Sequence, residues 1–459
     1  MKNLLSTPSR IFSEIDLKLN APAPLPELMR AMDNAREPLC QLFQEGLGTS
    51  IAGKAFALKT LNLLLAKYHF RERSAELLSR PFGLVVDPAN GCNLECPGCV
   101  HSAGAKERKL FDWGKGLLTE ERFAALLDRY GTYGIQLMFC NYGEPTANLR
   151  TPRLIELAKS YLIQTVLSTN GTIKRFDADA YVRSGLDFMF LSIDGATQPV
   201  YEQFRKGGHI DIVFDNIRKM VEAKKRLGSR TPILRWQFLA FEHNSHEIPR
   251  ARELAAELGV DQFTVERPFD VSWDMPGIKV AMDVPPANTE IHLGTESALR
   301  GNWDFEVKGA AKDTIEREFA ERWEKPGRVY SNHFYSNQVY STQGSSGHTC
   351  SWLYKSTGMD ANGKILPCCA APRPNLHLSF GQFPDAAGDT FNSPDYQRAR
   401  QFFADGIKPS PGGDPVPHCE NCEWDQEHTE VGHNTVSQYF RTAGRGLVDA
   451  DTVRVLCDW

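Results

Sequence analysis

The stretch DPANGCNLECPGCVHS, from Asp87 to Ser102, follows the apolar run FGLVV and carries three cysteines in a CxxxCxxC array: Cys92, Cys96 and Cys99. Structural zinc sites normally close with four ligands, often as two CxxC pairs, so three thiols leave one coordination position open. An iron–sulfur cube held by three thiolates keeps one iron open for a small molecule. We therefore predict an iron–sulfur site here, with a zinc site completed by a distant fourth ligand as the alternative.

Residues 81–267 around this loop alternate apolar strands with amphipathic helices. Six strands are expected, within FGLVVD, IQLMFCN, QTVLSTN, DFMFLSID, PILRWQFLAF and DQFTVE. This alternation predicts βαβ units and a parallel sheet, and hence an α/β fold of the partial (β/α)6 TIM-like barrel type. Chemistry in such folds gathers at the carboxyl ends of the strands, where the loop after the first strand must lie.

Three further segments are expected outside this barrel. Residues 1–80 show apolar residues at three-to-four spacing, which predicts a helical N-terminal segment. Residues 268–349 are rich in Pro, Gly, Asn and Ser and predict an irregular region that contributes to a substrate pocket or lid. Residues 350–459 form a small cysteine-bearing domain.

Composition sets broad limits on function. The 459 residues are 41% hydrophobic, and the formal charge is -5 with no basic tract, which argues against a nucleic-acid partner. Neither a signal peptide nor a transmembrane run is evident, so a cytoplasmic location is expected. Clustered cysteines in such a chain, which has 11, more often bind metal than form disulfides.

Three more stretches resemble the radical S-adenosylmethionine (SAM) enzyme family at the expected places. NYGEP (Asn141 to Pro145) ends the second strand and is similar to the family's GGEP motif; LSTNG ends the third strand; LSIDG ends the fourth and precedes YEQFRKGG. With CxxxCxxC they cover about residues 82–267. The resemblance implies a [4Fe–4S] cluster on Cys92, Cys96 and Cys99 whose open iron chelates the amino and carboxylate groups of SAM.

The resemblance also implies roles for polar residues at the strand ends. The backbone of Tyr142 and Gly143, with Glu144, would receive the SAM ammonium, and Arg205 would face its carboxylate. The candidates for contact with the ribose hydroxyls are Ser168, Asn170, Ser192 and Asp194. The candidates for the adenosyl side are Gln237 and Asn244. Each of these residues also has an ordinary alternative role in a helix cap or turn.

Two positions depart from the family pattern. Gly98 stands before the third cysteine, where the family usually has an aromatic residue near adenine; His101 is a candidate substitute. Tyr142 replaces the first of the family's paired glycines, which requires that the turn does not need positive φ there.

A second metal site is expected in residues 350–459. Cys350, Cys368, Cys419 and Cys422 resemble the SPASM auxiliary-cluster domain in its shorter twitch form, with Cys369 as a substitute for Cys368. The resemblance implies one auxiliary [4Fe–4S] cluster, and zinc is again the alternative. Four protein ligands would close this cluster, which favours electron acceptance or tuning over substrate binding.

The expected function is that of a radical SAM enzyme. A flavodoxin- or ferredoxin-type reductant supplies one electron, SAM is cleaved, and a 5′-deoxyadenosyl radical takes a hydrogen atom from a C–H bond of the substrate. Two substrates compete: a small polar metabolite such as an aminosugar or cyclitol, dehydrogenated or rearranged, and a peptide or protein side chain. The absence of a winged-helix recognition pattern favours the small molecule. A non-catalytic iron–sulfur electron carrier is the alternative of another class.

Cys140 ends the second strand, two residues before Tyr142. A thiol at this place is able to donate a hydrogen atom to a substrate radical. The other interpretation is a small buried apolar residue, the usual place of a free cysteine.

Overall fold

The structure is a computed structural model that describes residues 24–107, 114–268, 277–284, 287–291, 307–324, 350–368, 379–384 and 389–404, with 419, 439, 440, 443 and 447. Its described strands form one nine-stranded sheet in the order β7-β6-β5-β4-β3-β2-β1-β8-β9. Their bounds are β1 Gly83–Val86, β2 Gln136–Phe139, β3 Gln164–Thr169, β4 Phe188–Ser192, β5 Ile233–Leu239, β6 Gln262–Glu266, β7 Ala287–Ile291, β8 Ser356–Met359 and β9 Ile365–Leu366.

The six predicted strands are all present, and each pairs in parallel with the next along the chain. Because β1 and β6 do not pair, the six strands form an open, partial barrel, which confirms the predicted fold class. The carboxyl ends of β1 to β6 lie at one edge of the sheet, and the three-cysteine loop follows β1 at that edge.

Helices connect these strands and cover one face of the sheet. In chain order, those of the described residues are α1 Leu25–Leu47, α2 Ser50–Arg71, α3 Ala103–Glu107, α4 Glu120–Tyr130, α5 Thr151–Ser160, α6 Ala178–Arg183, α7 Gln198–Phe204, α8 Ile210–Arg226, α9 Ile248–Leu258, α10 Ala310–Glu324, α11 Trp352–Lys355 and α12 Pro394–Ala404. The helix α4 shows the local logic: the Thr119 side chain accepts from the Arg122 N–H, and the buried Phe123, Leu126 and Leu127 fall on one stripe.

The two faces of the sheet differ because successive strand residues point to opposite sides. Leu137, Leu167 and Trp236 are fully buried in the main core with the helices. Val166, Phe188 and Ile233 form a separate small apolar cluster on the opposite face, which we call the inner face. Sequence alternation therefore separates a helix-covered face from an inner face that can line a cavity.

The N-terminal helices α1 and α2 pack as a pair. They lie within residues 1–80, which were predicted to be helical. Most residues of α2 are buried, including Lys59, whose Nζ donates to the carbonyls of Gly131 and Gly134. Burial lowers the pKa of Lys59 well below its ordinary value. This lysine attaches the helical segment to the turn that precedes β2.

The region expected to be irregular, 268–349, contains regular structure in its described part. The strand β7 pairs antiparallel with β6, and α10 packs against α2 and α4. The cysteine-bearing C-terminal segment also joins the barrel sheet, because β8 pairs in parallel with β1. Its Asp360 accepts from Asn90 Nδ2 (2.9 Å), and Asn90 Oδ1 accepts from the Ala361 N–H (2.8 Å), so it contacts the loop that leads to Cys92.

Candidate functional site

The three thiols of the CxxxCxxC loop follow β1 and lie near enough to influence one another's pKa. Cys96 is buried and Cys92 and Cys99 are half-buried. Burial raises the pKa of Cys92 to about 12, with smaller contributions from Glu144, Cys99 and Cys96, and burial raises that of Cys96 to about 11. A group that binds here must therefore displace protons from protonated thiols.

Three thiols are a donor set that an iron–sulfur cluster accepts. Among the described residues, no three His, Cys, Asp or Glu side chains converge as ligands of one metal ion. In a cubane each thiolate binds a different iron, so the sulfurs do not have to converge on one point.

Two side chains direct N–H groups at these sulfurs. Asn170 Nδ2 lies 3.6 Å from Cys92 Sγ, and Arg205 Nη1 lies 4.0 Å from Cys96 Sγ. Hydrogen bonds to cluster sulfurs are one of the protein's means of setting reduction potential. The ends of β3 and α7 thus meet at the thiols.

The turn at Tyr142 and Gly143 is held by Asp87, which the sequence analysis did not assign, and by His101, which it named as a candidate near adenine. Asp87 Oδ1 accepts from the N–H groups of Tyr142 (2.9 Å) and Gly143 (3.2 Å). His101 Nε2 lies 2.8 Å from the Tyr142 carbonyl oxygen, so Nε2 carries the proton and donates. A carboxylate at the carboxyl end of β1 was the available sequence signal for Asp87.

The two departures from the family pattern have local explanations. Tyr142 is not among the residues with positive φ, so a tyrosine fits where the family has glycine. Gly98 has φ +75°, a conformation that glycine adopts without strain and an aromatic residue would not. Gly143 packs so tightly that an added Cβ would lie 1.6 Å from the Ala89 carbonyl oxygen.

Glu144 is buried and joins the ends of β2 and β3. Its Oε1 accepts from Thr146 N–H (3.0 Å) and Thr169 Oγ1 (2.6 Å), and its Oε2 accepts from Asn170 N–H (2.8 Å). Burial raises its pKa, and these hydrogen bonds oppose the shift. Glu144 thus joins the two strand ends through hydrogen bonds. Its contact with an ammonium group stays a prediction.

Arg205 and Asp194 form an ion pair beside Cys96. Arg205 Nε lies 2.5 Å from Asp194 Oδ2, and the fully buried Asp194 also accepts from the Leu239 N–H (2.7 Å). Burial alone would lower the pKa of Arg205, but Asp194 and Cys96 raise it, and the net shift is upward. Arg205 therefore stays cationic next to the thiols, and Asp194 orients its guanidinium. The contact of Asp194 with the ribose stays a prediction.

The remaining predicted residues divide into two groups. Asn244 is fully buried. Its Oδ1 accepts from the Phe241 N–H, and its Nδ2 donates to the carbonyls of Asp194 and Leu239, so it stabilises the turn after β5. Ser168, Ser192 and Gln237 are half-buried on the inner face, and Gln237 Nε2 donates to Glu266 (2.5 Å). Cys140 is half-buried after β2, and its role as a hydrogen donor stays a prediction.

The C-terminal cysteines are only partly within the described residues. Cys350 and Cys368 are half-buried, Cys419 is buried, and none of the three is in a disulfide. Cys350 lies near Tyr354 and Cys368 near Tyr396, and the buried Arg400 contacts the rings of both tyrosines. Cys369 and Cys422 lie outside the described residues, so the auxiliary site stays a prediction.

Asp87 gives a pH prediction with a definite sign. Burial raises the pKa of Asp87 from 3.8 to about 8, the Gly143 and Tyr142 N–H groups oppose the shift, and Asp360 adds to it. Between these pKa values the folded protein holds a proton that the unfolded chain releases, so its stability falls as pH rises. We expect Asp87→Asn to flatten this decline in urea unfolding of the metal-free protein between about pH 5 and about pH 8. An unchanged slope in the variant would contradict the assignment.

Comparison with known proteins bears on the same segment. Residues 86–236 match the model of the Radical SAM superfamily. Fe-coproporphyrin III synthase of Methanosarcina barkeri is 29% identical over 168 residues, which are 36% of this chain and 39% of that protein. GTP 3′,8-cyclase of Chlorobaculum tepidum is 28% identical over 209 residues, 44% of this chain and 60% of that protein. Both matches span less than two thirds of the relative's length.

The fold has neighbours among solved structures. Streptococcus suis SuiB bound to S-adenosylmethionine superimposes with a TM-score of 0.42 and 15% identity, covering 74% of this chain and 70% of SuiB.

In the part of the chain that the structure describes, no helix has the length and apolar character needed to span a membrane.

Proposed function

This chain belongs to the radical SAM superfamily, and we propose that it is an enzyme that cleaves SAM reductively to abstract a hydrogen atom from a small polar metabolite. Members of the superfamily bind a [4Fe–4S] cluster and SAM. The observation that carries the proposal is the meeting of three thiols, the partly buried Arg205 cation and a hydrogen-bonded backbone turn at one edge of the sheet. A mere electron carrier would not need the turn or the cation.

The residues present fit both groups. Cys92, Cys96 and Cys99 would hold the cluster, since they lie together at the carboxyl end of β1. The cluster and SAM, when bound, supply the one-electron cleavage that yields the 5′-deoxyadenosyl radical. Everything else is the work of the protein side chains and backbone around them.

Those protein groups bind and orient. Arg205 offers its guanidinium to a carboxylate, and Asp194 fixes the direction of that guanidinium. Asp87 and His101 hold the turn at Tyr142, so a ligand meets a pre-organised backbone. The half-buried Ser168 and Ser192 place hydroxyls on the inner face, where they suit the ribose or the substrate.

A small metabolite is favoured as the substrate. The inner face carries hydroxyl and amide side chains near the carboxyl ends of β3 to β5, which are suited to polar contacts with a small molecule. The two curated relatives are named for GTP and Fe-coproporphyrin III, which are small molecules. We retain the dehydrogenation or rearrangement of an aminosugar- or cyclitol-like compound as the proposed type of reaction.

Cys350, Cys368, Cys419 and Cys422 are proposed as ligands of an auxiliary [4Fe–4S] cluster in a twitch-like domain. The positions of the three described members support this proposal, because Cys350 and Cys368 are half-buried and Cys419 is buried in the same part of the chain that carries β8 and β9. Iron and zinc analysis of anaerobically reconstituted protein tests it. Two [4Fe–4S] clusters require about eight irons per chain. About four irons with one zinc would show that the auxiliary site binds zinc instead.

The catalytic proposal is tested by product formation. Reconstituted protein incubated with SAM and dithionite is expected to release 5′-deoxyadenosine, and a flavodoxin- or ferredoxin-type protein should replace dithionite. Protein treated with an iron chelator is the control. If reconstituted protein with a full iron content releases no 5′-deoxyadenosine, the electron-carrier alternative stands instead.

A further inference from the structure

We propose that Arg235 on the inner face of the sheet binds an oxyanion, a carboxylate or phosphate, of the substrate. This inference rests on the proposed function and refines its substrate class to negatively charged metabolites. It concerns an arginine that the sequence motifs leave unassigned.

The position of Arg235 is set by the register of the strands. Arg235 lies beside Phe190 of β4 and Gln262 of β6, and Phe190 in turn lies beside Ser168 of β3. Gln237 follows two residues later on the same face, nearer the carboxyl end. The layer below consists of Val166, Phe188 and Ile233, which are at most 4% exposed. A molecule entering from the cluster edge thus reaches Arg235 just before an apolar floor.

The guanidinium is fixed on one side and open on the other. Arg235 Nε donates to Gln262 Oε1 (2.7 Å), and its Cζ lies 4.5 Å from the centroid of the Phe190 ring. Its two terminal nitrogens have no hydrogen-bond partner among the residues that the structure describes. Neither nitrogen is a buried polar atom that lacks a partner. Both nitrogens are therefore accessible from outside the protein. The planar fork they form matches a carboxylate or a phosphate.

Other cations in the interior of the protein have partners that Arg235 lacks. Lys159, Lys224 and Arg205 each have an aspartate within hydrogen-bond distance. The fully buried Lys59 and Arg400 instead donate to backbone carbonyls. Within the described part of the chain, Arg235 forms no such ion pair. Glu266 acts on Arg235 electrostatically, but its carboxylate accepts from Gln237. Burial lowers the pKa of Arg235. A bound oxyanion would offset this unfavourable burial, as an aspartate does for Lys159, Lys224 and Arg205.

The test uses reconstituted holoenzyme with SAM and dithionite, and measures 5′-deoxyadenosine. An ultrafiltered metabolite extract of the host organism is divided on an anion-exchange resin at neutral pH. We expect the retained fraction to stimulate 5′-deoxyadenosine release above the level without extract. In Arg235→Gln, the amount of this fraction needed for half-maximal stimulation should rise by about thirtyfold or more. Arg235→Lys, which keeps the charge, should recover part of the loss.

Controls separate the possible outcomes. Arg250→Gln, at an exposed arginine on α9, should behave as the wild type. Phosphatase treatment of the retained fraction distinguishes a phosphate, when stimulation is lost, from a carboxylate, when it persists. Stimulation by the unretained fraction or by a polypeptide, or an equal response of Arg235→Gln, would overturn the proposal.

A second measurement does not require turnover. Calorimetry with inorganic phosphate and with malonate on SAM-loaded enzyme should show binding that Arg235→Gln weakens. If no fraction stimulates the enzyme and the two proteins bind these anions equally or not at all, the proposal is also overturned. Failure of the proposed function would instead appear as no 5′-deoxyadenosine in any sample, whatever the anion binding.

Discussion

A Gly143→Ala variant is expected to lose SAM cleavage by about a hundredfold or more, because its turn cannot keep its place against the cysteine loop. The added Cβ would lie 1.6 Å from the Ala89 carbonyl oxygen and 3.1 Å from that of Gly91. Both oxygens are backbone atoms, so no side-chain rotation relieves the clash. Displacement by about 1 Å at a reacting centre costs about a hundredfold in rate.

The matched control for this variant is Gly104→Ala in the short helix α3. Apart from its chain neighbours and the backbone of its own helix, no described atom lies within 4 Å of a Cβ built there, and the residue does not have positive φ. Initial rates of 5′-deoxyadenosine release, with iron content measured on the same samples, separate a turn effect from loss of the cluster. A Gly143→Ala enzyme as active as Gly104→Ala would show that the turn does not position SAM.

An Asp194→Asn variant is expected to lower the free energy of unfolding by about 3–5 kcal/mol, because it leaves the Arg205 cation without its partner. Asp194 is fully buried and accepts from both Arg205 and the Leu239 backbone. The amide keeps the shape but not the charge. We also expect weaker SAM binding, since the freed guanidinium loses its fixed direction.

Glu253→Gln is the control, because its pair with Arg250 lies on an exposed helix surface. Its effect on stability should stay below about 1 kcal/mol. Urea unfolding of the metal-free proteins measures both variants, and SAM titration of the reconstituted proteins measures affinity. Equal stability losses in the two variants would refute the assignment of Asp194 as the partner that Arg205 requires.

Much of the barrel was predictable because its strands are apolar and separated by clear helices. The six strands of residues 83–266 were predicted within a few residues of their bounds. The strands β8 and β9 were missed: STGM and IL are short and show no alternation that would distinguish a strand from a turn. Their place in the sheet depends on partners distant in sequence.

The thiols were predictable from spacing, whereas the contacts around them were not. Cys92, Cys96 and Cys99 fall within one loop, so their proximity follows from the chain itself. The tasks of Asp87 and His101 depend on where β2 ends relative to β1, which a single sequence does not show. Likewise, the ion pair between Asp194 and Arg205 joins residues 11 positions apart, and the sequence motifs did not predict it.

The pairing of β8 with β1 has a consequence for how the protein is made. The strand beside the cysteine loop leaves the ribosome early, but its neighbour on that side comes from the last quarter of the chain. Until then β1 presents an uncovered edge, which is open to pairing with other chains. A version shortened before β8 should therefore precipitate during expression even though every residue proposed to contact SAM is intact.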